Sequence, residues 1–268
     1  MTSPKVRHIL SLSGGKDSTA LAVYLRPKIQ DMEYVFCDTG KELPETYEYL
    51  NKIEAYLGKP IVRLNAGFSF DHMLEKFSGF LPSPRMRWCT KYLKLIPFEK
   101  YVGDDPVRSY IGIRADENRQ GYISHKPNIT PVFPFKEDGI TKADVFRILE
   151  EAGLGLPEYY KWRTRSWCYF CFFQRKIEWV ELKRVHPDLF EKAKKYEKTT
   201  TPTGQRYTWV SRESLPELEK RSEQIRREHL ATLQRLAASS KSKPLLQVLD
   251  VAHDELDENE RPCLICDL

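Results

Sequence analysis

Ser13-Gly14-Gly15-Lys16-Asp17-Ser18-Thr19 follows the run Leu10-Ser11-Leu12 and leads into an apolar, helix-compatible segment. The types and their spacing suit an anion. A glycine pair lets the backbone turn tightly and bring N–H groups close to a phosphate. Ser13, Ser18 and Thr19 add hydroxyls at the positive end of the following helix, Ser11 lies on the approaching strand, and Lys16 adds a mobile charge. The usual nucleotide loop needs a glycine well before Gly-Lys-Ser/Thr, whereas here position 10 is Leu and Asp17 follows the lysine. The second chemistry is sulfur. Cys37, Cys89, Cys168, Cys171, Cys263 and Cys266 include two Cys-x-x-Cys pairs, a spacing that favours metal or redox chemistry over a disulfide framework. Cys168 and Cys171 lie in an aromatic collar flanked by Arg163, Arg165, Arg175 and Lys176. Positive surroundings or a metal are what a thiol needs to become a thiolate ligand.

Three further stretches mix groups that meet nucleotides. Asp38-Thr39-Gly40-Lys41-Glu42 reads as a turn whose Asp and Thr can contact ribose, Mg²⁺ or phosphate, or as a plain Asx turn. Arg85 to Lys94 combines basic groups, Trp88 and the Cys89 thiol; on a helix Lys91 and Lys94 share a face. In Tyr110 to Arg119, Gly112 permits close backbone approach, and Arg114 either clamps an anion or pairs with Asp116.

The elements that must position these groups follow from hydrophobic periodicity. Strands are expected at Val6–Leu12, Tyr34–Cys37, Ile61–Leu64 and from Tyr110, with an edge strand over Ile129–Phe135. Helices are expected at Ser18–Leu25, Pro44–Leu57 with Gly58 beyond its end, and Thr141 to about Ala152. Alternation of this kind implies an α/β fold, a mostly parallel sheet with helices on both faces, and places ligands beyond the carboxyl ends of the strands. Residues 1–155 form the expected nucleotide domain, 156–240 a smaller helical region with the Cys-x-x-Cys, and 241–268 a linker with an acidic tail bearing Cys263 and Cys266. Further helices are expected at Ile177–His186, Pro187–Lys198 and Leu215–Leu236; the basic residues of the last suit either a solvated face or nucleic acid.

The chain has 268 residues, a net charge of +5 and 41% hydrophobic residues, the composition of a soluble globular protein with room for a full core. No apolar run is long enough for a membrane span, and Met1 to Lys5 lack a signal core, so the cytoplasm is the expected compartment.

Ser13 to Thr19 resembles the pyrophosphate loop (PP-loop) of the ATP pyrophosphatase superfamily, whose members bind the β and γ phosphates there and cleave ATP between α and β. Asp38 to Glu42 with Pro44 and Thr46, the Cys89 segment with Lys94 and Pro97, and Gly112-Ile113-Arg114-Ala115-Asp116 resemble further landmarks of its phosphoadenylyl-sulfate (PAPS) reductase-like branch. The resemblance implies an adenine nucleotide alpha hydrolase-like fold. It also implies ATP with Mg²⁺ on Ser11, Ser13 to Thr19, Asp38, Thr39, Gly40 and Arg114, with Lys16, Asp17, Asp38 and Arg114 in catalysis. The thioredoxin-dependent reductases end in a Glu-Cys-Gly-type tail, and this chain ends Pro-Cys-Leu-Ile-Cys-Asp-Leu; the iron–sulfur reductases carry an adjacent Cys-Cys, and here Thr90 follows Cys89. The layout is more similar to the sulfurtransferase-like members of DNA phosphorothioation and tRNA thiolation. That likeness implies a [4Fe-4S] cluster on Cys89, Cys168 and Cys171, a nucleic-acid acceptor and a cysteine desulfurase as donor. Cys263 and Cys266 either supply a further ligand, join a zinc (Zn²⁺) knuckle with Cys168 and Cys171, or take no part. A dithiol redox pair, a sulfate-assimilating reductase, and an ATP- or zinc-binding regulatory or defence component without sulfur chemistry stand beside this reading.

Overall fold

A computed structural model describes residues 5–118, 124, 126–166, 168–199 and 204–239. Its centre is a five-stranded, all-parallel sheet in the order β3-β2-β1-β4-β5, built from β1 (Arg7–Ser11), β2 (Met32–Cys37), β3 (Ile61–Leu64), β4 (Val107–Tyr110) and β5 (Ile129–Val132). Side-chain alternation divides the central strands between two cores. Leu10, Tyr34 and Phe36 face one core, with Leu21 and Leu25 of α1 (Lys16–Leu25), Leu50 and Ile53 of α2 (Pro44–Leu57), and Val145 and Leu149 of α7 (Lys142–Glu151). Ile9, Val35 and Cys37 face the other, against Phe98 and Val102 of α5 (Ile96–Val102). Helices cover both faces, as the alternation of elements implies.

The strand order reverses direction at β1. The chain leaves β1 for β2 and β3 on one side, then crosses back to lay β4 and β5 on the other. The crevice between the carboxyl ends of β1 and β4 is therefore the topological switch point, where open parallel sheets hold their ligands. The glycine loop follows β1 and Gly112–Arg114 follow β4, so both expected anion-binding stretches border it.

A third core gathers Leu43, Phe70, Trp88 and Leu93 with Tyr159, Phe170, Trp179 and Trp209. Around it lie α3 (Phe70–Lys76) and α4 (Trp88–Thr90) on the sheet side, and α8 (Lys176–Val185), α9 (Pro187–Tyr196), α10 (Leu215–Lys220) and α11 (Ser222–Ser239) toward the C-terminus, whereas α6 (Pro134–Glu137) sets Phe135 in the first core.

Four local expectations differ from the structure, the first being the edge strand expected to run to Phe135, which ends at Val132 because Pro134 opens a short helix. β4 occupies Val107–Tyr110, and Gly112–Arg114 already belong to the loop beyond it. The expected helix over 215–236 is two helices, interrupted at Arg221. Between α4 and α5 lies a π turn, Lys91–Leu95. Pro97 has no N–H to return to the preceding turn and its ring crowds it, and a widened turn is the local remedy. The wider turn also separates Lys91, which is exposed, from Lys94, which turns inward, so the two do not share a face.

Candidate functional site

The glycine loop is held by its own hydroxyls. Ser18 Oγ accepts from the Ser13 amide at 3.2 Å and lies 3.1 Å from Ser13 Oγ; Thr19 Oγ1 donates to the Gly15 carbonyl at 2.7 Å. Gly14 has φ +75°, and a Cβ there would stand 2.7 Å from Thr46 Cγ2. A side chain at Gly15 would strike Ser166 Oγ at 2.8 Å. The two glycines are thus required by conformation and by space. Ser11 is buried at the end of β1, and among the described residues its hydroxyl has no hydrogen-bond partner.

Asp17 sits between two cations, 3.2 Å from Lys16 Nζ and 2.9 Å from Arg114 NH1. Burial works to raise its carboxyl, and Lys16 and Arg114 outweigh it, holding the pKa well below the usual range. Arg114, itself buried, also pairs with Asp116 at 3.0 Å and Glu117 at 2.8 Å. The charge expected to clamp an anion is therefore held by carboxylates at the crevice. Gly112 allows this meeting, because a Cβ there would lie 3.0 Å from the Asp17 backbone.

Asp38 Oδ1 accepts from the Gly40 amide at 2.9 Å and from Tyr47 Oη at 2.8 Å, an Asx turn fixed from outside. Thr39 links this turn to sulfur. Its hydroxyl donates to Glu42 Oε1 at 2.7 Å and lies 3.3 Å from Cys168 Sγ.

Cys89, Cys168 and Cys171 line one largely apolar pocket with Thr39, Thr90 and Lys94. The structure thus brings together three of the five expected metal-ligating cysteines; Cys263 and Cys266 lie outside the described residues, as do Arg119 and Trp167. Burial pushes all three thiols up, Cys171 to about 12. Burial thus favours the protonated thiols, a preference that the positive charge of a metal would oppose. Lys94 faces them. Burial opposes its charge, but Cys168, Glu42, Cys37 and Cys89 prevail and its pKa is raised. Arg163, fully buried, donates to the Cys168 carbonyl at 2.7 Å and fixes the turn.

Residues 7–131 match the family model described as the phosphoadenosine phosphosulfate reductase domain. This part of the chain is similar to the PAPS reductase domain. Two uncharacterised proteins of Methanocaldococcus jannaschii are similar to it: one is 30% identical over 69% of this chain and 40% of its own length, the other 29% identical over 68% and 45%. This chain therefore spans less than half the length of those relatives. An uncharacterised protein of Escherichia phage 186 is 24% identical over 74% of this chain and 77% of its own. The PAPS reductase of Candida auris shares the fold, with a TM-score of 0.50 and 14% identity over 61% of this chain and 82% of its own. Among the described residues no helix is long and apolar enough to cross a membrane.

Sequence reading missed the segment that closes the glycine loop. Tyr159 donates to the Gly14 carbonyl at 2.6 Å, Tyr160 accepts from the Lys16 amide at 3.3 Å, and Ser166 donates to Ser13 at 3.2 Å. These residues are about 150 positions from the loop, and nothing in their local pattern ties them to it.

Proposed function

We propose that this protein is an ATP pyrophosphatase that adenylates an acceptor and supports replacement of the adenylate by sulfur. The observation that carries the reading is the 3.3 Å contact between Thr39, on the second expected nucleotide turn, and Cys168, in the three-cysteine pocket. Phosphate chemistry and sulfur chemistry share a wall.

On this reading ATP lies with its β and γ phosphates on Ser13 to Thr19, with Mg²⁺, and the loop amides and Lys16 stabilise the departing pyrophosphate. Arg114 exchanges a carboxylate for the charge developing at the α phosphate. Asp38 and Thr39 border the nucleotide, and Asp17 keeps Lys16 and Arg114 in place. An acceptor oxygen attacks the α phosphorus, the bond to pyrophosphate breaks, and the acceptor carries AMP until sulfur displaces it. Positioning and electrostatics supply most of the rate.

Three thiols are the donor type that an iron–sulfur cluster takes, and Cys89, Cys168 and Cys171 border one pocket, while among the described residues no three His, Cys, Asp or Glu groups are gathered closely enough for a single metal ion. Cys89, Cys168 and Cys171 would hold a [4Fe-4S] cluster, which when bound offers an iron without a protein ligand for the sulfur to be transferred. Lys94 supplies positive charge beside the thiolates. The acceptor is nucleic acid on this reading, drawn by the basic residues of the C-terminal region, with a desulfurase as sulfur donor.

A second reading, reduction of an adenylyl sulfate, is favoured by the domain match itself. The two separate by product. Incubation with ATP, Mg²⁺, sulfide and RNA or DNA should release pyrophosphate and label the nucleic acid with sulfur, and Lys16→Ala should lower pyrophosphate release by at least tenfold without changing metal content. Sulfite released from an adenylyl sulfate, with no pyrophosphate from ATP, would replace the first reading by the second.

A further inference from the structure

Tyr159, Tyr160 and Ser166 all reach the glycine loop, but they spend their protons differently. Tyr159 donates its only proton to the Gly14 carbonyl, and Ser166 gives its proton to Ser13 Oγ. Tyr160 only accepts. Its oxygen takes the Lys16 amide at 3.3 Å, and among the described residues no acceptor takes its own O–H. Lys16 Nζ lies 5.4 Å from the centre of the same ring. A hydroxyl with an unspent proton thus stands at the head of α1, beside an ammonium and the buried hydroxyls of Ser13 and Ser18.

Those are the groups that a phosphate collects at a helix N-terminus. We infer that Tyr160 is a phosphate-binding residue, supplied to the loop from beyond the matched residues 7–131. Its O–H donates to an oxygen of the anion while its own oxygen keeps the Lys16 amide, passing that donor on through one hydroxyl. Ser166 is a positioning residue that orients Ser13. The inference rests on the reading of the loop as a pyrophosphate site. It adds that the site is incomplete without the segment that leads to Cys168.

Calorimetric titration with inorganic pyrophosphate and Mg²⁺ tests the assignment on the full chain, for wild type, Tyr160→Phe and, as a control, Tyr24→Phe, whose hydroxyl donates to Asp138. Phenylalanine keeps the stack on Tyr159, whose ring centre is 5.0 Å away. Tyr160→Phe should bind about tenfold more weakly, the scale of one hydrogen bond to a charged group, with its melting temperature within ~2 °C of wild type. Tyr24→Phe should bind as wild type does. In wild type, pyrophosphate should also slow amide exchange over 158–166. Equal or tighter binding by Tyr160→Phe overturns the assignment and leaves the pyrophosphate reading standing. No binding by wild type overturns both. Were Tyr160→Phe to lose its fold, exchange over 158–166 that pyrophosphate leaves unchanged in wild type would overturn the assignment on its own.

Discussion

Gly112 carries a constraint that its neighbours cannot relax. The atoms that a Cβ would meet, at 3.0 to 3.2 Å, are the backbone of Asp17 and Ser18 at the start of α1, which is itself packed on the sheet. Gly112→Ala should therefore cost about 1–3 kcal/mol of overpacking, read by urea denaturation, and a change within ~0.5 kcal/mol would contradict the close approach. Arg114 is a harder loss. Without its guanidinium, the buried Asp17 carboxylate is left with Lys16 as its one printed cation, so Arg114→Met should cost about 3 kcal/mol even where nucleotide plays no part. The motif residues were legible because type and spacing are local properties: Gly14, Gly15, Gly112 and Asp38 all stand in turns that their own neighbours announce. The Arg114–Asp116 pair was legible as one of two readings, but the contact with Asp17 was not, since 97 positions separate the two.

The elements were read best where a helix or strand is closed by its own residues. Pro44 opens α2 and Gly58, at φ +66°, ends it, as expected; β3 occupies its expected residues. The misreadings have one tertiary and one local cause. β4 is placed by its ladder with β1, and the π turn by a proline acting backwards on the turn before it. The segment 158–178 is likewise held from a distance, through Glu178. This buried carboxylate accepts from the Thr164 amide and hydroxyl at 2.9 and 2.7 Å and from the Arg175 amide at 3.0 Å. Burial would raise its pKa, but Arg175, Arg163 and these donors prevail and it is lowered. A carboxyl depressed on folding contributes stability that is complete above its unfolded value, near ~4.3, and lost as pH falls through the folded value. Glu178→Gln should thus be less stable than wild type at pH 7, with the difference shrinking between about pH 5 and 3. A difference independent of pH over that range would contradict the role given to the charge.

At the scale of the whole molecule, two contacts tie the carboxyl ends of the strands to the segment that carries Cys168: Thr39, beyond β2, to Cys168, and Gly14, beyond β1, to Tyr159. Cys89 and the Cys168–Cys171 pair are far apart in sequence, and their meeting was implied only by resemblance; the third core, in which Phe70, Trp88, Phe170 and Trp209 pack together, is what draws them in. On the function proposed above, this pocket would hold an iron–sulfur cluster beside the turn that carries Thr39. That claim is tested most directly by iron, zinc and acid-labile sulfide content, with the visible spectrum, on full-length protein purified without oxygen, for wild type, Cys168→Ala and Lys16→Ala. Near four irons and four sulfides per chain in wild type and Lys16→Ala, lost in Cys168→Ala, is the predicted result. Zinc without labile sulfide, or iron that survives Cys168→Ala, would contradict it.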